Sequence, residues 1–172
     1  RTVESSEPRF QGARRVENIV PSSNDFSVAS WAKGNVTLQS GVADPFGGTD
    51  ATTVTATAGS YLAAHLNSSY VSNSPQSGDK IRNSLWIRRR TGTGQIKLYS
   101  GGDAADQPIV TLTSSWQRLS VPVGSVVTAV DNYVGVRILT AGDAVDIYGV
   151  QSEYVTGQTN QNPSEYVSTG VG

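Results

Sequence analysis

Aliphatic side chains alternate with polar or basic ones through most of this chain, and that alternation limits its fold more than any other feature. Val54, Leu62, Leu66, Ile81, Leu85, Ile87, Ile96, Leu98, Leu119, Val121, Val136, Ile138, Val145 and Ile147 sit in short runs of period two. A period of two places successive side chains on opposite faces of a strand. β-Branched and aromatic residues dominate the runs, as strands prefer. Between them lie Asp44-Pro45-Phe46-Gly47-Gly48, Ser77-Gly78-Asp79, Thr91-Gly92-Thr93-Gly94, Ser100-Gly101-Gly102-Asp103 and Ala141-Gly142-Asp143, residues that start turns or tolerate positive φ. The expected strands are 36–42, 51–57, 60–67, 80–90, 95–100, 108–113, 116–122, 132–140, 144–154 and 164–168. Many short strands without intervening helices predict an all-β fold, an antiparallel β-sandwich or barrel. One helical turn is expected over 25–33, with Ser23 or Asn24 as cap and Gly34 as stop.

Composition narrows the function classes. The 172 residues carry 13 basic and 14 acidic side chains, so bulk charge offers nothing to nucleic acid. No apolar run is long enough to span a membrane, and no basic-then-apolar leader is visible. There is no Cys, which excludes disulfides, thiolate metal sites and cysteine nucleophiles. Met is absent even at position 1, as expected of an excised or processed piece. Residues 1–16, with four arginines and two glutamates, read as an extended arm; 17–168 read as the folded domain and 169–172 as a tail.

Catalysis finds little support. The lone His65 lies in an alternating strand with no serine-nucleophile motif near it. Asp44, Asp79, Asp103, Asp106 and Asp143 fall at turns, where Asp serves the backbone, and no carboxylate pair of the glycosidase kind stands out. Gly92-Thr93-Gly94 precedes a strand rather than a helix, so it reads as a hairpin turn and not a phosphate loop. Asn35-Val36-Thr37 and Asn67-Ser68-Ser69 fit the glycosylation pattern, which carries no weight without a secretory context. The expectation is a protein that is not an enzyme.

Strand parity points to a surface instead. With Leu85 and Ile87 inward, Trp86, Arg88 and Arg90 stand together outward. With Ile96 and Leu98 inward, Lys97 and Tyr99 share a face, and a 91–94 hairpin would set them beside the Trp86 group. Tyr61 and His65 oppose Leu62 and Leu66, and Arg137 opposes Val136 and Ile138, at the margin of the same surface. Aromatic faces with fixed cationic donors suit sugar rings, and they equally suit a protein interface.

Ordered motifs add a resemblance. Glu17-Asn18-Ile19-Val20-Pro21-Ser22-Ser23-Asn24-Asp25-Phe26-Ser27-Val28-Ala29-Ser30-Trp31 resembles the opening of carbohydrate-binding-module-like jelly-roll domains of bacteriophage tail and head fibre proteins. Ser84-Leu85-Trp86-Ile87-Arg88-Arg89-Arg90 is similar to that family's "S-x-W-x-R-R" strand, and Thr113-Ser114-Ser115-Trp116-Gln117-Arg118 to its "T-x-x-W-x-R" strand. Asp143-Ala144-Val145-Asp146-Ile147-Tyr148-Gly149-Val150-Gln151-Ser152-Glu153 resembles the closing strand, and Ser164-Glu165-Tyr166-Val167-Ser168 the exit. The resemblance implies a jelly roll on the exterior of a virion, non-enzymatic, within a longer and often trimeric fibre that meets host cell-surface polysaccharide and other virion proteins. It requires no cofactor, but related sandwiches often hold a structural Ca²⁺, for which Asp25 and Asp146 are the matching positions. It also places Trp31 and Trp116 in the framework. The rival implication is architectural: an attachment or oligomerisation module whose aromatic–basic face is an interface and whose Arg1, Arg9, Arg14 and Arg15 enter a neighbouring subunit.

Overall fold

The structure is a computed structural model and describes residues 16–99, 108–121, 124–125 and 132–170. The expected arm before Val16 and the turn at 100–103 lie outside the described residues. Within them the chain forms strands β1 (Trp31–Val42), β2 (Ala51–His65), β3 (Lys80–Thr91), β4 (Ile96–Leu98), β5 (Ile109–Val110), β6 (Gln117–Ser120), β7 (Gly124–Ser125), β8 (Tyr133–Ile138) and β9 (Ala144–Tyr154). Every pairing is antiparallel, and the strands follow the order β5-β4-β8-β2-β9-β3-β6, with β1 on β2 and β7 on β3.

The long β2 turns this single sheet into a sandwich. Its first half, Thr52–Thr55, pairs with β9, while its second half, Ser60–His65, pairs with β8. One layer therefore contains β9, β3 and β6, and the other β8, β4 and β5. Ile81, Leu85, Ile87, Val145, Ile147 and Val150 from the first layer close on Leu62, Ala64, Ile96, Leu98, Val134, Val136 and Ile138 from the second. Leu85 is 2% exposed and Ile87 0%, so the inward parity expected from the alternation holds. This is the jelly-roll sandwich expected from the sequence. Burial of this aliphatic set, at about 25 cal/mol per Å² of apolar surface, is what drives the layers together.

A buried polar residue also crosses the core. Asn83, buried on β3, donates from Nδ2 to the carbonyls of Tyr99 and Tyr133 at 3.1 Å each. It thus ties the β3 layer to the backbone of the opposite layer.

Two expected elements take other forms. Residues 25–30 form turns and β1 already starts at Trp31, in place of a helical turn over 25–33. Asp25 Oδ1 accepts the N–H and hydroxyl of Ser27, and the Lys33 ammonium gathers the carbonyls of Phe26, Ser27, Val28 and Trp31. Those local side-chain bonds outcompete a helical ladder, while Phe26 and Trp31 meet edge to face in the core at 4.7 Å. The segment 164–168 is not a strand either. Side chains take its backbone groups: Arg118 reaches Ser164 O, Gln151 meets Glu165 O and Val167 N, and Asn18 meets Val167 O. Hydrogen bonds from Thr169 to Ser23 and Val20 carry this contact one residue beyond 168.

Candidate functional site

The expected surface divides in two. The turn at 91–94 does not make a hairpin: β3 pairs with β9, β6 and β7, whereas β4 pairs with β8 and β5. The turn carries the chain across the core to the other layer, fastened by Asp143, whose carboxylate accepts from Gly94 N at 2.7 Å and from Arg89 at 3.1 Å. Trp86, Arg88 and Arg90 therefore face out from one layer, and Lys97, Tyr99, Tyr61, His65 and Arg137 from the other. The parity expected of each strand is right; the neighbourhood of the two groups is corrected.

The Trp86 face is occupied by the chain itself. Asp146, on β9 opposite Arg88, receives Arg88 Nε and Arg90 Nε at 2.7 Å each and the Thr53 hydroxyl at 2.6 Å. Burial raises the Asp146 carboxyl, but the donors Arg90, Thr53 and Arg88 more than offset this and hold it below the usual carboxylate range. The Arg88 guanidinium also lies 4.8 Å over the ring of Trp116. Farther along, Arg82 and Arg118 donate to the carbonyls of Gln161 and Ser164, and the C-terminal segment covers Ser84, Gln151 and Glu153. Trp86 packs edge-on against Phe46 at 5.3 Å; Phe46 itself is 66% exposed on a loop that Asp44 braces with bonds from Phe46 N and Gly48 N. Trp31 is a core residue, while Trp116 belongs to this outer face, stacked by Arg88.

Asp25 and Asp146 do not meet as a calcium pair. Asp25 lines a cleft with Thr52 and Leu38, on the core side of β2, whereas Asp146 bonds to Thr53, which points the other way. Both Asp146 oxygens are already engaged by guanidinium groups, and Asp25 is held by Ser27. Those two residues do not fit a shared ion. Among the described residues no group of three or more His, Cys, Asp or Glu side chains converges on a metal position.

A depressed carboxyl has a pH consequence. Because the folded-state pKa of Asp146 is lowered, its stabilising contribution is complete above the unfolded value near ~3.9 and fades as pH falls through the folded value. Asp146→Asn is expected to cost about 2 kcal/mol at pH 7, with the gap to the parent closing below about pH 4. Urea unfolding of both proteins at pH 7 and pH 3 measures it; an equal gap at the two pH values contradicts the assignment.

The second face is laid out in rows by strand register. Lys97 on β4 lies opposite Arg137 on β8, which lies opposite Tyr61 on β2, which lies opposite Gly34 on β1. A Cβ on Gly34 would sit 2.3 Å from the Tyr61 ring, so glycine there lets the phenol lie flat on β1. Two residues along each strand come Gly135, Ala63 and Ala32, a strip of small residues. Beyond it stands an aromatic band: Tyr70 stacks on His65 at 5.7 Å, His65 meets Tyr133 at 5.1 Å, and Tyr133 meets Tyr99 at 5.8 Å. Tyr61 and Tyr70 remain 41% and 43% exposed. Five residues named from the sequence thus share this face, and Tyr70 and Tyr133 join them. Tyr133 has the same parity as Arg137 and was open to the same argument; Tyr70 lies in a loop without periodic signal.

The sandwich as a whole, apart from any one surface, matches known solved structures in overall form. The xylan-binding domain CBM22-1 of Paenibacillus barcinonensis Xyn10C superposes with a TM-score of 0.58 at 12% identity, covering 81% of this chain and 95% of that one. The C-terminal family 22 carbohydrate-binding module of Clostridium thermocellum Xyn10B gives 0.54 at 16% identity, covering 81% and 93%. The fold is that of carbohydrate-binding jelly rolls. The enzymatically active domain of bacteriophage CBA120 tailspike protein 4 gives 0.56 at 11% identity, covering 80% of this chain and 21% of that one. No protein-family model and no curated protein sequence matches the chain. These similarities concern the fold.

Proposed function

We propose that this domain is a non-catalytic glycan-binding module, and that it holds its ligand on the face of β1, β2, β4 and β8. The observation that carries the reading is the run of rings Tyr70–His65–Tyr133–Tyr99, set across a strip of small residues from Tyr61, Arg137 and Lys97. Ring faces pack on the C–H side of a pyranose, while Arg and Lys supply directed hydrogen bonds. The jelly-roll fold and the motif resemblance support the same reading. On that resemblance, the module sits outside a bacteriophage particle, in a trimeric tail or head fibre, and adheres to host cell-surface polysaccharide. Trp86, Arg88 and Arg90, first grouped with this site, serve the opposite face.

Affinity electrophoresis in gels containing plant or bacterial polysaccharides tests the assignment. Tyr61→Ala is expected to weaken retention about tenfold, equivalent to ~1.4 kcal/mol, while Trp86→Ala leaves it unchanged. The reverse pattern would move the site to the Trp86 face. There, the exposed Phe46 on Trp86 favours a protein contact, the architectural reading; sedimentation of Phe46→Ser would then show a lower association state.

A further inference from the structure

The row that crosses this face contains two positive charges side by side and no counter-charge. Lys97 and Arg137 are direct cross-strand partners on β4 and β8, an arrangement of like charges that opposes folding. Ion pairs among the described residues join Arg88 and Arg90 to Asp146 and Arg89 to Asp143, on and beside β3 and β9, and do not include Lys97 or Arg137. Arg137 Nε is buried and has no hydrogen-bond partner among the described residues. Among the described residues, the outward positions paired with or next to this pair are uncharged or basic: Ile109 opposite Lys97, then Gly34, Tyr61, Ala63, His65, Tyr99, Tyr133 and Gly135. On the opposite face, by contrast, guanidinium groups are matched by Asp146 at 2.7 Å. Among the described residues, the outward arginines of one layer are neutralised and this pair on the other is left unmatched.

Resting on the glycan reading above, we infer that the ligand is an acidic polysaccharide whose anionic group is received between Lys97 and Arg137. A carboxylate or sulfate there accepts charge-assisted hydrogen bonds from both side chains and relieves their repulsion. The adjoining sugar ring then lies against Tyr61 on one side and reaches the Tyr133–His65 band on the other. Charge selects the polymer; the rings hold it.

The experiment compares charged and uncharged forms of the same chain, by affinity electrophoresis and titration calorimetry on the whole protein. One pair is polygalacturonate and its carboxyl-reduced galactan; the second is dextran sulfate and dextran. The expected result is at least about tenfold tighter binding of one acidic member, a preference that shrinks at high salt. Which pair shows it tells a uronate from a sulfate. Lys97→Gln and Arg137→Gln are each expected to remove that preference, with thermal melting unchanged or raised because a repulsion is lost. Equal binding of charged and neutral forms overturns the inference while leaving glycan binding intact. An acidic preference that survives both substitutions places the charge recognition elsewhere and also overturns it. Retention on none of the four polymers sinks the inference and the glycan reading together.

Discussion

Gly135→Ala is expected to be the most damaging single substitution in the domain. Gly135 lies on β8 at the centre of the second layer, paired with Ala63 of β2. Its φ is +151°, and a Cβ built there falls 2.0 Å from the carbonyl oxygen of Leu62 and 2.8 Å from the Ala63 Cα. The obstacle is backbone in a central strand, flanked by buried Leu62 and Val136, so it cannot swing aside as a side chain would. Alanine must force β8 from β2, and with it the row Lys97–Arg137–Tyr61. A cost of at least about 3 kcal/mol follows from the overpacking and the unfavourable φ, a large share of the ~5–15 kcal/mol that holds a domain together. For a chain of this size it corresponds to a melting point lower by about 6–12 °C. A melting curve superposable on the parent would show that β8 and β2 do not approach as described.

Asn83→Ala is expected to damage stability and the site at once. The two bonds that Asn83 donates end on the carbonyls of Tyr99 and Tyr133, the two residues that close the aromatic band. Truncation removes one donor from each carbonyl inside the sandwich, at about 1–2 kcal/mol for each bond lost. The variant should lose about 2–4 kcal/mol in denaturant unfolding. Its glycan affinity should also fall, although residue 83 points into the core and cannot touch a ligand. A destabilised variant with full affinity at low temperature would mean that the rings are positioned without this bridge.

What the sequence discloses and what it conceals differ in physical kind. Alternation is a local property, so the outward setting of Trp86, Arg88 and Arg90, and of Lys97, Tyr61, His65 and Arg137, could be read residue by residue. Strand neighbours are a property of topology. Thr91-Gly92-Thr93-Gly94 has the residues of a hairpin, yet Asp143, about fifty positions later, fastens it as a crossing between layers. Nothing local marks that difference. The turn role of Asp44 was legible, because a short carboxylate accepts from nearby backbone N–H groups, whereas the Asp143 carboxylate serves the distant 91–94 turn instead of its own. Asp146 was not: its role depends on two arginines brought alongside by pairing of β3 with β9. Tyr148, which shares the outward parity of Asp146 and lies opposite Trp86, was within reach of the same counting. The exit segment around Tyr166 has strand-like composition but lies on side chains instead of a partner strand.

On the proposed reading, sugar is held by the β4–β8–β2 face and not by the β3–β9 face. Amide and side-chain NMR shifts, followed while a xylo-oligosaccharide and then an oligogalacturonate are added, test it directly. The account predicts changes centred on Tyr61, His65, Lys97, Tyr99, Tyr133 and Arg137, with the second ligand acting at lower concentration. Changes confined to Trp86, Arg88, Arg90 and Trp116 would contradict it.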